Sequence, residues 1–237
     1  MKQHFIRTLI QKTGFDLHRY RKTDETNKME YLRECCIRTV IDVGANIGQF
    51  AKEVRAILPD ASIYSFEPVQ ECYRQLLHNM SADTKFQAFN CALGDTNGKI
   101  AIHKNDYSQS SSILDMADAH KRLFPHTSHD VPEEITVKRL DDMTEMRPVT
   151  LEKNILLKID TQGFEDRVIR GGPDFLKETK AVLAETSFLE LYKGQPLFAD
   201  IYKTLTSQGF RYTGSFWQKI NPENGQVLFE DSLFVRN

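Results

Sequence analysis

The chain has 237 residues, 31 Lys and Arg against 33 Asp and Glu, a formal charge of −2, and 40% apolar residues. That balance describes an ordinary soluble globular domain, long enough to bury a core without disulfides or a structural metal, and it argues against a broad nucleic-acid-binding face. The longest uninterrupted apolar stretch, Ala181 to Ala184, falls far short of the ~20 residues a membrane-spanning helix needs.

In chain order, residues 1–38 read as a helical arm. Phe5, Ile6, Leu9 and Ile10 share one face, and a second segment carries Met29, Leu32 and Cys36. Arg7 and Gln11 interrupt any signal-peptide core, so a cytoplasmic location is expected. The cysteines Cys35, Cys36, Cys72 and Cys91 lack paired CxxC spacing, which predicts reduced thiols rather than a disulfide framework or zinc site.

From Thr39 a compact run, Val40-Ile41-Asp42-Val43, leads into the turn Gly44-Ala45-Asn46-Ile47-Gly48 and an amphipathic helix closed by Pro59. A second strand, Ser62 to Phe66, ends at Glu67-Pro68 and is followed by another amphipathic helix; a third spans Phe86 to Cys91. Strands alternating with helices predict parallel pairing through right-handed crossovers, hence a doubly wound α/β sheet. Lys99 to His103 and Ile135 to Leu140 alternate apolar and polar residues like an inserted antiparallel pair, bracketing a polar segment with Ser108 and Ser110 to Ser112. The winding resumes at Ile155 to Asp160, with a helix from Glu165, a break at Gly171-Gly172-Pro173, a strand from Ala181 to Glu185 and a helix through Leu205. Phe210 to Trp217 and Gln226 to Val235 read as a terminal β-hairpin.

The first turn is GxxxG, without the third glycine of a dinucleotide-binding fingerprint and without the Lys-Ser/Thr of a triphosphate loop. Gly44 and Gly48 leave backbone open to close approach, and Glu67, 23 residues after Gly44, can accept two hydrogen bonds from a ribose diol. Asp42, Glu67 and the segment Ala92 to Asp95 converge on the carboxyl rim of such a sheet, where ligands of doubly wound folds bind. A sheet with tight turns and no cofactor is the competing reading.

These segments resemble a known family. Ile41 to Gly48 is similar to the first motif of class I S-adenosylmethionine-dependent methyltransferases. Ser65-Phe66-Glu67-Pro68, Asn90 to Asp95, Leu157 to Glu165 and Leu191 to Pro196 narrow the likeness to the FkbM methyltransferases, over residues 39–217. The resemblance implies a Rossmann-like, mostly parallel seven-stranded sheet with an antiparallel C-terminal hairpin. It also implies S-adenosylmethionine as cofactor: Asp42, Gly44, Ala45, Asn46 and Gly48 at its methionine part, Glu67 at its ribose, Ala92 and Leu93 beside its adenine. The implied reaction is O-methylation of a hydroxyl on a saccharide, glycan or secondary metabolite.

Asp160 ends a sheet strand on the same rim and is the first candidate for a general base; capping of the following helix is its competing role. Glu185, ending the next strand, can share that work or clamp a divalent cation with Asp160, although hydrated surface acids are the commoner outcome and no metal site is favoured. Ser110, Ser111 and His126 in the inserted segment are candidate acceptor contacts. Phe210, Tyr212, Phe216 and Trp217 read as hairpin packing rather than a stacking platform. The expected partner is a small-molecule or glycan acceptor; the apolar face of the arm can cover the acceptor site, pack against a second copy of the chain or touch a membrane surface, with packing on the core the commonest outcome. The rival functions are a nicotinamide-dependent oxidoreductase or epimerase and a catalytically silent cofactor-binding module.

Overall fold

The computed structural model describes residues 31–127, 129–145 and 151–236; Phe5, Ile6, Leu9, Ile10 and Met29 lie outside them. In chain order the elements are β1 (Thr39–Val43), α1 (Gln49–Ile57), β2 (Ser62–Phe66), α2 (Gln70–Asn79), β3 (Phe86–Phe89), β4 (Ala92–Gly94) and β5 (Gly98–Asn105). They continue with α3 (Asp118–Leu123), β6 (Asp130–Arg139), β7 (Ile155–Ile159), α4 (Glu165–Arg170), α5 (Pro173–Glu178), β8 (Thr179–Ser187), α6 (Phe198–Ser207), β9 (Phe210–Ile220) and β10 (Val227–Arg236). Among the described residues no helix is long and apolar enough to cross a membrane.

The main sheet has seven strands in the order β3-β2-β1-β7-β8-β10-β9. All neighbours are parallel except β10, which runs antiparallel to both β8 and β9. This is the doubly wound sheet that the strand–helix alternation predicts, in the Rossmann-like form with an antiparallel C-terminal hairpin that the family resemblance implies.

Period-two alternation sends successive side chains of each central strand to opposite faces. Ile41, Val43, Leu157 and Ile159 join one core with Val168, Leu176 and Leu205 from α4, α5 and α6. Val40, Ile63 and Leu156 join the other with Ala51, Val54 and Leu76 from α1 and α2. Both faces are therefore covered, which explains why β1 and β7 read as near-continuous apolar runs. Leu32, Cys35 and Ile37, before the first strand, also pack into the second core.

The inserted pair is present, and it is larger than the alternation alone shows. β5 and β6 pair antiparallel, and β4 adds to β6 in parallel, giving a separate three-stranded sheet in the order β4-β6-β5. The third main-sheet strand consequently stops at Phe89 instead of Cys91, because the chain leaves that sheet to start the smaller one at Ala92. Between β5 and β6 the chain forms short turns at Ser108–Ser110 and Pro125–Thr127 around α3. A bridge from Met116 to Tyr192 ties this segment to the main body.

Candidate active site

Sequence order along the sheet reverses between β1 and β7, so their carboxyl ends diverge into loops on opposite faces and leave a crevice. A cavity of about 580 Å³ opens there. Its inner wall comes from Val43 to Asn46, Glu67 to Val69, Ala92 and Leu93, its floor from Lys158 to Gln162, Glu185 and Asp231. The inserted segment and the terminal hairpin form its mouth.

The two glycines of the first turn answer to the fold. A side chain on Gly44, at φ +79, would bring its Cβ to 1.8 Å from the Asp160 carbonyl oxygen, so glycine is what lets β1 and β7 end side by side. Gly48, at φ +92, begins α1, and a Cβ there would stand 2.9 Å from Leu76 Cδ1. Chain packing therefore calls for glycine at both positions, independently of the close ligand approach expected there. Gly44, Ala45 and Asn46 line the cavity; Gly48 and Asp42 are not on its wall.

Asp42 is fully buried behind the turn. It accepts a hydrogen bond from Ser65 Oγ at 3.0 Å and lies 3.5 Å from Lys158 Nζ, its cross-strand neighbour in register. Burial pushes its carboxyl up, opposed by Lys158 and Ser65. Lys158 Nζ also approaches Asp160 Oδ2 at 3.3 Å. Burial alone would lower the lysine, but Asp160, Asp42 and Asp231 outweigh it and hold the ammonium charged. Lys158 is thus the cation between two acids, a role that a strand residue in an apolar run does not advertise in sequence.

Glu67 sits at the tip of β2 with its carboxylate held on both sides. The Asn46 N–H donates to Oε2 and the Val69 N–H to Oε1, each at 2.8 Å. Burial raises this acid to about 7, against the pull of those two amides. Each oxygen keeps acceptor capacity, since a carboxylate has about four lone-pair sites. Beside it Val69, Ala92, Leu93 and Ile102 present an apolar wall.

Asp160, Gln162, Glu185 and Asp231 share the floor. Gln162 Nε2 donates to Asp160 Oδ1 at 2.8 Å and to Glu185 Oε2 at 3.1 Å. Glu185 is raised well above an ordinary carboxyl by burial and by the nearby Asp160, Glu165 and Asp231, and Asp231, its partner in register, is pushed up to about 6, chiefly by burial. Glu165 points back into the turn before it, accepting from the N–H groups of Thr161 at 2.9 Å and Gly163 at 3.1 Å. Among the described residues no group of three or more His, Cys, Asp or Glu is placed to hold a metal ion.

The mouth joins two walls. Asn46 Nδ2 donates to Ser108 Oγ at 3.1 Å, tying the glycine turn to the insert. Ser110 and Ser111 line the cavity with His126, whose ring meets Tyr107 edge-on at 5.5 Å. Ser111 Oγ accepts from the Asn105 N–H at 3.0 Å, so its hydroxyl already braces the loop. His120 is buried against Tyr192 at 4.9 Å, with Nε2 on Thr127 Oγ1 and no partner on Nδ1. Burial lowers it to about 4, so it is neutral near pH 7. On the opposite wall Trp217 is half exposed and lines the cavity; its ring packs at a tilt on Phe229 of the same hairpin, 5.8 Å between centroids, so hairpin packing also brings it to the mouth.

A model of the Methyltransferase FkbM domain matches residues 42–212, which spans β1 to β9 and every cavity-floor residue except Asp231. The chain belongs to the FkbM methyltransferase family. Over 162 residues it is 30% identical to the 2-O-methyltransferase NoeI of Sinorhizobium fredii, covering 66% of each chain, just under two thirds of that protein's length. It is 28% identical over 188 residues to Methyltransferase 1 of Beauveria bassiana, covering 72% of this chain and 71% of that one. Among solved structures, TehB from Haemophilus influenzae aligns with 92% of this chain and 64% of its own, at 8% identity and a TM-score of 0.47. The match covers the inner wall at Glu67 and the insert side of the mouth at Ser108 to Thr127, and leaves Trp217, Phe229 and Asp231 of the terminal hairpin outside it.

Proposed function

We propose that this FkbM methyltransferase uses S-adenosylmethionine to methylate a hydroxyl of a saccharide, glycan or related secondary metabolite. The observation that carries the reading is the cavity at the β1/β7 reversal, with one carboxylate on an otherwise apolar wall and an acidic floor beside it. The donor set suits that cofactor. Glu67 has acceptor capacity for a diol, Val69, Ala92, Leu93 and Ile102 suit a flat base, and Asp160, Glu185 and Asp231 against Lys158 suit a cationic ligand. When bound, S-adenosylmethionine supplies an electrophilic methyl group. Gly44, Ala45 and Asn46 would border its amino-acid part.

The protein's own contribution is positioning and proton transfer. Holding a hydroxyl in line with a methyl carbon at ~3 to 3.5 Å supplies most of the acceleration in such a displacement. The acceptor would enter between Ser110, His126 and Trp217 and reach the floor at Asp160. As the acceptor oxygen takes the methyl carbon and the methyl–sulfonium bond breaks to release S-adenosylhomocysteine, the hydroxyl proton would pass to the Asp160 or Glu185 carboxylate, a general-base contribution of ~10²- to 10⁴-fold. Lys158 Nζ, 3.3 Å from Asp160 Oδ2, holds that carboxylate at the floor.

Thermal unfolding with added ligand tests the cofactor. S-adenosylhomocysteine is expected to raise the Tm and NAD to leave it unchanged; the opposite pattern would favour an oxidoreductase and overturn the proposal.

A further inference from the structure

The turn after β7 places a residue that the reaction outlined above does not itself require. Gln162 has φ +54, the left-handed region, where a side chain beyond glycine costs about 1 kcal/mol or more. Its neighbours hold it there. Glu165 takes the N–H groups on either side, from Thr161 and Gly163, and Ser112 Oγ of the insert donates to the Gln162 carbonyl at 2.6 Å. Strain that three separate contacts maintain is directed at something, and the side chain shows what.

The amide is committed at both ends. Nε2 spends one hydrogen on Asp160 Oδ1 at 2.8 Å and the other on Glu185 Oε2 at 3.1 Å, while Oε1 accepts from the Tyr192 hydroxyl at 2.8 Å. Flipping the amide would set its oxygen against two carboxylate acceptors, so the network allows one orientation. Tyr192 is itself buried, packed on His120.

We propose that Gln162 is the positioning residue of the active site, its amide setting the spacing and orientation of the Asp160 and Glu185 carboxylates while Tyr192 locks the amide. The assignment rests on the methyl-transfer reading for its purpose, but its geometry is independent of the cofactor. The groups facing the two acids are Lys158 from β7, Glu165 from α4, Asp231 from β10 and the Tyr192 hydroxyl. Of these only Lys158 is a cation, so the two amide hydrogens are the remaining donors that favour ionised carboxylates. A glutamine does this without adding charge.

The test follows the side-chain carboxyl carbons of Asp160 and Glu185 by ¹³C NMR from pH 5 to 9. The full chain is used, with and without saturating S-adenosylhomocysteine, as wild type, Gln162→Leu, Gln162→Glu and Tyr192→Phe. Losing the donor hydrogens in Gln162→Leu should move the Glu185 midpoint up by about half a pH unit or more, and Gln162→Glu, which adds one more acid to the cluster, should move it further. Tyr192→Phe should shift it in the same direction by less. Unchanged Asp160 and Glu185 titrations in the Gln162 variants would overturn the proposal. Should Gln162→Leu fail to fold, the isosteric Gln162→Glu decides it in the same way. Failure of wild type to bind S-adenosylhomocysteine would instead defeat the cofactor reading, while the ligand-free titrations would still decide the role of Gln162.

Discussion

Glu67 shows how a single side chain ties the fold to the ligand. Its carboxylate satisfies the Asn46 and Val69 N–H groups, so replacement by alanine would strand two donors in the interior as well as remove the proposed ribose contact. Glu67→Gln is the cleaner change. It is expected to weaken S-adenosylhomocysteine binding at least tenfold in calorimetry, about 1.4 kcal/mol, with near-ultraviolet circular dichroism unchanged. Glu165 illustrates the opposite case, an acid kept for the turn it builds. Burial moves it from 4.5 to about 7 in spite of its amide donors. The folded chain thus retains a proton that the unfolded chain has already released, so this group's contribution to stability falls as pH rises from the ordinary carboxylate range through about 7. Glu165→Gln keeps an acceptor for Thr161 and Gly163 but cannot ionise. In urea titrations the variant is expected to lose less stability than wild type between pH 5 and pH 8, with a difference on the order of 2 kcal/mol.

Between elements, the glycine turn and the insert meet through Asn46 and Ser108. Asn46 uses its backbone N–H on Glu67, its Oδ1 on the Ile47 N–H and its Nδ2 on Ser108. One residue in the left-handed region, at φ +48, therefore connects β1, β2 and the acceptor-side loop. Asn46→Ala and Ser108→Ala are each expected to loosen the insert, and a double-mutant cycle in urea should show a coupling of about 0.5 to 1.5 kcal/mol. Zero coupling would mean that the two walls are independent. The GxxxG spacing made the turn visible in sequence, but the partner of Asn46 lies 62 residues away on a polar loop with no periodic signal. Ser112 and Gln162 are likewise joined over 50 residues.

For the whole molecule, the terminal hairpin matters as much as the winding. Because β10 inserts between β8 and β9, Asp231 comes beside Glu185 and Trp217 stands at the cavity mouth. Trp217 is the chain's single tryptophan, so its emission reports on that mouth. A saccharide acceptor is expected to quench or blue-shift it in a titration, and S-adenosylhomocysteine alone, proposed to occupy the inner wall at Glu67, to leave it nearly unchanged. A response to the cofactor and none to any acceptor would place the acceptor elsewhere.

Periodicity along the chain was enough to lay out the alternating strands and helices, the inserted pair, the C-terminal hairpin and the acid at the tip of β2, because each is written in spacings of two to four residues. Which acids face one another is a different kind of information. Asp42 opposite Lys158 and Glu185 opposite Asp231 are register pairs between distant strands. Nothing within either segment states them, since strand order and register are settled by packing two cores against one sheet. The same holds for the glycines, whose need is set by the Asp160 backbone and the Leu76 side chain. Local sequence chose the elements and their order; only the folded chain brought Lys158, Gln162 and three carboxylates to one floor, because charge and hydrogen-bond partners are decided by proximity in space.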